Sequence, residues 1–361
     1  MESFRVELGR ESHPVFIGAG LIDQVGELAR DAGLKPGRAA LITDANVARL
    51  YSERAKRALH AAGFAPIIIE FPAGEASKSL TMLAALLDRL VEAQLDRTST
   101  IFALGGGVTG DLAGFAAATF LRGIALVQIP TTLVAQVDSA LGGKTGINHP
   151  AAKNLIGAFY QPRLIAADVT ALQSLPEREF REGLGEVIKY GAIMDAPMAA
   201  ELERTMPSIL RREPERLEAI VSQSLRHKAN VVQSDEHEGG LRKILNFGHT
   251  LGHALEVSAG YGSLLHGEAV AIGMVAASRL SVTHADLSEA DANRLTILIE
   301  AAGLPIAIPP ALEPGDLLNA LKLDKKRADG GVEFVLIDRI GHAFMLKLSF
   351  DQVLASLPPG Y

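Results

Sequence analysis

Up to about residue 170, short runs of β-branched and aliphatic residues alternate with longer segments whose apolar positions recur every three or four residues. The runs predict strands at 4–8, 15–17, 38–43, 66–71, 100–104, 125–129 and 164–167; the longer segments predict amphipathic helices at 21–31, 47–62, 81–94 and 111–120. Such alternation argues for a parallel sheet covered on both faces, with ligands beyond the carboxyl ends of its strands. From about residue 176 the pattern turns helical, with segments at 177–190, 196–210, 214–235, 249–258, 268–280, 286–302 and 314–322. The change sets a boundary near residues 170–176 and predicts two domains, 1–172 and 173–361.

Composition narrows the class. With 48% hydrophobic and 21% charged residues, the 361-residue chain reads as an ordinary globular protein. Charged residues or glycine interrupt every apolar run before about 18 residues, so no membrane span is expected. The start, M-E-S-F-R-V-E-L, lacks a secretory signal, and a cytoplasmic location follows as an expectation. The absence of Cys excludes disulfides, thiolate ligands and a Cys nucleophile. A formal charge of −7 argues against nucleic acid as a partner, so any basic chemistry must be local.

Candidate chemistry in the first half sits at strand ends. Asp44 and Asn46 follow one strand, where an acid takes ribose hydroxyls or simply caps the next helix. Glu75 and Lys78 occupy the polar loop P-A-G-E-A-S-K-S. The strongest element is G-G-G-V-T-G-D: Gly105, Gly107 and Gly110 fit G-x-G-x-x-G between a strand and a helix. It departs from the dinucleotide fingerprint because the strand is not the first and no acid follows about twenty residues on. Thr131 and Thr132 end another strand, and Asp138, Lys144, Lys153 and Asn154 lie in glycine-rich stretches read as loops.

The second half carries a histidine cluster. His249 and His253 are spaced i, i+4, which on a helix shares one face, and His266 follows within the same 18 residues. Three imidazoles so placed suit a metal or acid–base role, and helical spacing points first to His249 with His253 as the ligand pair. The string H-T-L-G-H lacks the general-base Glu of zinc peptidases. Glu186 and Lys189 stand i, i+3 in R-E-G-L-G-E-V-I-K-Y-G, where an ion pair is the plain reading; Lys228 falls within another helix. The run Asp235–Glu238 reads as an exposed charged turn, and D-K-K near Lys325 and Lys326 as a solvated loop.

Together these segments resemble the 3-dehydroquinate synthase family of the sugar-phosphate cyclase superfamily, over essentially the whole chain. The strings that carry the likeness are G-G-G-V-T-G-D, I-P-T-T-L-V-A-Q-V-D-S-A-L-G-G-K-T-G, G-L-G-E-V-I-K-Y-G, L-N-F-G-H-T-L-G-H-A-L-E and L-L-H-G-E-A-V. The resemblance implies an α/β Rossmann-like N-terminal NAD-binding domain, an all-α C-terminal metal-binding domain and an active site in the cleft between them, within a homodimer. It implies Glu186, His249 and His266 as ligands to zinc, or cobalt, and moves His253 to substrate contact or proton transfer. NAD would meet Asp44, Asn46, Glu75, Lys78, Gly106, Gly107, Val108, Asp111, Thr131, Thr132, Asp138, Lys144, Lys153 and the segment Ala171, Leu172, Gln173 and Ser174. Substrate phosphate and carboxylate would meet Arg122, Lys153, Asn154, Lys189, Lys228, Arg242, Asn246 and one of the pair Lys325 and Lys326, of which Lys326 is taken. The implied substrate is 3-deoxy-D-arabino-heptulosonate 7-phosphate, converted to 3-dehydroquinate by transient oxidation, phosphate elimination, re-reduction and aldol closure. The chain departs from the family at Gly185, commonly Ala and taken as harmless in size, and at Gln173-Ser174 in place of Lys-Thr.

Sister cyclases making 2-deoxy-scyllo-inosose or 2-epi-5-epi-valiolone are the nearest alternatives, followed by a metal- and NAD-dependent polyol dehydrogenase. Lys228, Arg242, Asn246, His253 and the D-K-K loop together favour a carboxylate-bearing substrate.

Overall fold

The computed structural model describes residues 1–260, 263–310, 312 and 331–356. The expected helix at 314–322 and both lysines of the D-K-K loop lie outside the described residues. The chain folds as two compact units: Met1–Leu175 with Leu217–His237, and Pro176–Arg216 with Glu238–Tyr361.

The first unit is built on seven strands: β1 (Glu2–Val6), β2 (His13–Gly18), β3 (Arg38–Asp44), β4 (Ala65–Phe71), β5 (Thr100–Gly105), β6 (Ala125–Pro130) and β9 (Leu164–Asp168). Their order is β1-β2-β9-β6-β5-β3-β4, parallel throughout except for the antiparallel β1–β2 pair. Residues alternate between two apolar layers, as a doubly covered sheet requires. Ala39, Leu41, Phe102, Leu104, Val127 and Ile129 pack under α1 (Val25–Asp31) and α3 (Glu53–Ala61). Ala40, Ile42, Ile101, Ala103 and Leu126 pack under α4 (Leu80–Glu92) and α5 (Gly107–Thr119). Between β3 and α3 the expected single helix is divided into α2 (Ala45–Val47), a π-helical turn at Ala48–Ser52, and α3.

Chain direction decides where a ligand fits. From β3 the chain moves outward to β4, then returns to lay β5 on the other side of β3. The carboxyl ends of β3 and β5 therefore flank the point where strand order reverses, the crevice such sheets offer to ligands.

Two hairpins depart from the pattern reading. Lys144, Lys153 and Asn154 lie in β7 (Lys144–His149) and β8 (Ala152–Phe159), not in loops. Glycines read as loop punctuation instead serve close strand pairing: a Cβ on Gly157 would overlap the Thr145 carbonyl oxygen, and one on Gly146 would lie 2.5 Å from that of Ile156. Asn154 adopts φ +54, a conformation asparagine tolerates better than most residues.

The second unit contains α6 (Glu177–Met194), α7 (Ala196–Leu210), α9 (His249–Ser258), α10 (His266–His284), α11 (Glu289–Ala301) and α12 (Phe350–Ser356). It is not purely helical. Strands β10 (Val332–Arg339) and β11 (His342–Leu348) pair antiparallel around Gly341 at φ +91, with Val332, Phe334 and Leu336 buried. The remaining helix, α8 (Pro214–Ser234), contributes its part from Leu217 onward to the sheet unit. There Ser222 donates to Glu2 and Gln233 accepts from the Glu7 N–H. No helix among the described residues is long and apolar enough to cross a membrane.

Helices α9 and α10 pack at glycine contacts. Gly273 lies against the backbone of Gly248, and an added Cβ would overlap the Gly248 carbonyl oxygen. Gly273→Ala would gain about 1 kcal/mol of helix propensity in an open helix. Here we expect a net loss of about 2 kcal/mol, read as a lower urea midpoint, because backbone cannot retreat as a flexible side chain can. An unchanged or raised midpoint would show that the two helices separate freely.

Candidate active site

In the sheet unit, the glycine turn after β5 leads directly into α5, whose first N–H groups lack partners within the helix and so suit an anion. Gly105, Gly106, Gly107 and Gly110 are not among the residues with positive φ; glycine is needed for want of a Cβ. A Cβ would overlap Thr109 at Gly105, and would come to 2.8 Å from Thr132 at Gly106, 3.1 Å from Ser139 at Gly107 and 2.9 Å from Gln128 at Gly110. An acid stands near the turn from earlier in the sequence: Asp44 ends the adjacent strand, and the Thr109 hydroxyl donates to it at 3.4 Å. Asp44 also accepts from the N–H groups of Asn46 and Val47, so it caps its helix as well. Thr131 Oγ1 and Ser139 Oγ are buried without hydrogen-bond partners. Nothing in the sequence singles out Ser139, since a serine within V-D-S-A carries no local signal.

Several distant residues meet here. Lys78, buried, donates to Asp111 at 2.6 Å and to Asn154. Asn148 donates to Glu75 at 2.7 Å and accepts from the Asn154 N–H at 2.9 Å, joining β7–β8 to the loop after β4. Burial pushes the Asp111 carboxyl up against the opposing pull of Lys78. Lys228 reaches Asp138 in the same unit, 3.0 Å from the carboxylate and 2.6 Å from the carbonyl oxygen. Ser174 and Tyr51 hydroxyls lie 2.7 Å apart, at the turn Val169–Ser174 that carries Ala171, Leu172 and Gln173. Leu121, Arg122 and Gly123 have φ of +51, +67 and +118, so Arg122 sits in a strained turn.

The helical unit gathers the charged centre. Glu186 is fully buried on α6 and pairs with Lys189 one turn on, the i, i+3 contact read from the sequence. Its other oxygen, Oε1, has no hydrogen-bond partner, while His249 Nε2 lies 3.5 Å and His266 Nε2 3.6 Å from it. Donor atoms of Glu186, His249 and His266 all fall within 4.8 Å of one another, as an ion requires. Helical spacing alone favours His249 with His253, but the set containing the buried carboxylate takes His266 instead. His253 belongs to a second, overlapping set with Glu256 and His266. The Asp235–Glu238 run is in neither set: Glu236 accepts from Gln161, and His237 stacks on Phe159 at 5.0 Å. Arg242 is buried in the turn Leu241–Asn246, and Asn246 donates to Glu238 at 3.2 Å.

Burial raises the Glu186 carboxyl, yet Lys189 and the imidazoles outweigh it and hold it well below the usual range. Burial and Lys189 depress His249 to about 3. For His266, burial is overcome by the carboxylates of Glu186 and Glu256 facing its two ring nitrogens, which raise it to about 10. Glu182, one turn before Glu186, is pushed up to about 7 by burial and accepts from the Gly267 N–H at 3.3 Å. Gly185 is not neutral in size as expected: its Cβ would lie 2.9 Å from the Gly267 carbonyl oxygen, so α6 and α10 approach more closely than alanine permits. Arg178, Glu182 and Glu256 pack against the segment that carries His266, and nothing in the sequence signals them, because each contact crosses from one helix to another.

Solved structures share this architecture. A 2-deoxy-scyllo-inosose synthase complexed with carbaglucose-6-phosphate, NAD+ and Co2+ superposes with TM-score 0.89 at 26% identity, covering 99% of this chain and 100% of that one. The 2-epi-5-epi-valiolone synthase from Streptomyces hygroscopicus subsp. jinggangensis 5008, with NAD+ and Zn2+ bound, gives 0.87 at 28%, covering 97% and 96%. Sheet, glycine turn and helical unit thus define the architecture of a sugar-phosphate cyclase. Family profiles for the 3-dehydroquinate synthase N-terminal and C-terminal regions match residues 68–182 and 183–327. The 3-dehydroquinate synthase of Pelobacter propionicus is 50% identical over 354 residues, 98% of each chain. The chain belongs to the 3-dehydroquinate synthase family.

With His266 raised and His249 depressed, a divalent ion binding Glu186, His249 and His266 at neutral pH displaces one proton, from His266. Affinity should therefore rise about tenfold per pH unit from pH 7 toward 10, and zinc calorimetry in buffers of different ionisation enthalpy should report about one proton released. Buffer-independent heats would contradict this protonation pattern. His249→Ala should abolish zinc binding and His253→Ala retain it, measured by equilibrium dialysis; loss of zinc in both variants would reinstate the helical pair, and the reverse result would refute the ligand assignment.

Proposed function

We propose that this chain converts 3-deoxy-D-arabino-heptulosonate 7-phosphate to 3-dehydroquinate and phosphate, with NAD+ regenerated in each turnover and a bound divalent ion, zinc or cobalt. The observation that carries the reading is the convergence of two imidazole Nε2 atoms on a buried, unpartnered oxygen of Glu186. One carboxylate and two imidazoles are a donor set that suits catalytic zinc. The sheet unit fits a dinucleotide equally well, with orphaned hydroxyls of Thr131 and Ser139 beside a glycine turn that opens a helix. When bound, the ion supplies Lewis-acid polarisation of a substrate oxygen and NAD+ supplies reversible hydride acceptance.

The chain's own residues do the rest. Asp44 and Asn46 meet the adenosine ribose, and Glu75, Lys78, Gly106, Gly107, Val108, Asp111, Thr131, Thr132, Asp138, Lys144, Lys153 and Ala171–Ser174 line the cofactor. Lys189, Lys228 and Arg242 are buried cations, which a phosphate- and carboxylate-bearing substrate requires in a chain of net charge −7. Arg122, Lys153, Asn154 and Asn246 add donors to the same polyanion. His253, its ring 5.5 Å from that of His249, moves a proton at the substrate in this reading. Holding a flexible reactant in one geometry is itself a large part of the rate enhancement. A cytoplasmic homodimer accompanies this reading, on the family resemblance.

Identity favours this substrate over those of the sister enzymes: 50% to a 3-dehydroquinate synthase, against 26% and 28% to the two sister cyclases. Purified protein with NAD+, zinc and the heptulosonate phosphate should release phosphate stoichiometrically with no accumulation of NADH. Accumulating NADH would indicate a dehydrogenase, and phosphate only from glucose 6-phosphate or sedoheptulose 7-phosphate would indicate a sister cyclase.

A further inference from the structure

Glu256 has no place in the ligand set above, yet it stands beside one of its members. It lies on α9, three residues after His253, and is buried at 7% exposure. Its Oε2 is 3.4 Å from His266 Nδ1, while the opposite ring nitrogen, Nε2, faces Glu186. His249 is arranged in the same way. Its Nδ1 meets the Phe247 carbonyl oxygen at 3.2 Å, and its Nε2 faces the same Glu186 oxygen. An acceptor at Nδ1 keeps the proton there and leaves the Nε2 lone pair for an ion. A carboxylate in that position also raises the donor strength of the ring, more than a carbonyl does.

We propose that Glu256 is a positioning residue: with the ion bound, it holds His266 as the Nδ1–H tautomer and fixes the ring so that Nε2 points at Glu186. The two imidazoles are then oriented differently, His249 by its own backbone and His266 by a charged side chain from another helix. The difference follows from position. His249 begins α9 two residues after the carbonyl it uses, whereas His266 begins α10 and needs an acceptor from outside its own segment. The proposal rests on reading Glu186, His249 and His266 as the ion's ligands.

The alternative is that Glu256 is itself a ligand, in the overlapping set with His253 and His266. Glutamine separates the two, since its carbonyl oxygen can accept from Nδ1–H but is a poor zinc ligand. Zinc affinity would be measured by chelator competition on wild type, Glu256→Ala, Glu256→Gln and His266→Ala. Nitrogen-15 spectra of the histidine rings of the zinc-loaded proteins would report the tautomer. We expect Glu256→Ala to weaken zinc about 10–100-fold and to lose the slowly exchanging Nδ1–H of His266. Glu256→Gln should stay within about fivefold of wild type and keep that proton, which also guards against simple misfolding of the alanine variant. Wild-type zinc affinity and an unchanged His266 spectrum in Glu256→Ala would overturn the proposal, as would a Glu256→Gln protein that loses zinc as fully as His266→Ala. If wild type binds no zinc, the ligand reading falls and the proposal falls with it.

Discussion

A carboxylate taken wholly out of water is the constraint on which the helical unit depends. Burying such a charge costs several kcal/mol even after relaxation, and the cost is offset only by close, well-aimed partners. Glu186 has Lys189 on one oxygen, supplied by its own helix. The other oxygen can be answered only by groups brought from elsewhere, and His249 and His266 come from the first turns of α9 and α10. The starts of α9 and α10 thus converge on one oxygen atom of α6.

The glycines of this unit follow from that requirement. Helices carrying Glu186, His249 and His266 must come unusually close, and Gly185 against Gly267, Gly252 against Ala269, and Gly248 against Gly273 remove the side chains that would hold them apart. A stripe along α6 completes the fit: Arg178 forms a bidentate pair with Glu268, Glu182 accepts from the Gly267 N–H, and Glu186 faces the imidazoles. Residues four apart on one helix face thus hold the N-terminal turn of α10 at two points before presenting the carboxylate.

The sheet unit uses the same device for a different end. Its glycine turn needs no left-handed backbone; it needs room, so that α5 can start hard against Thr132, Ser139 and Gln128. An acid does stand beside the turn: Asp44 is delivered by the neighbouring strand because β3 and β5 lie side by side where strand order reverses. Sequence distance and spatial distance part company at such a point.

Local periodicity was enough to determine the alternating first half, the helical second half and the i, i+3 pair of Glu186 with Lys189, because each depends on residues within about a turn of one another. It also drew attention to His249, His253 and His266 as a cluster. It took β7–β8 for loops and assigned no strand at β10–β11, where glycines and a helical background masked two-residue alternation. The family resemblance, not spacing, pointed to Glu186 with His249 and His266; only the tertiary structure shows how the three converge, that Glu256 stands behind His266, and that Asp44 meets the glycine turn. Those contacts join different helices or strands, and no spacing along one element encodes which face of another it will meet.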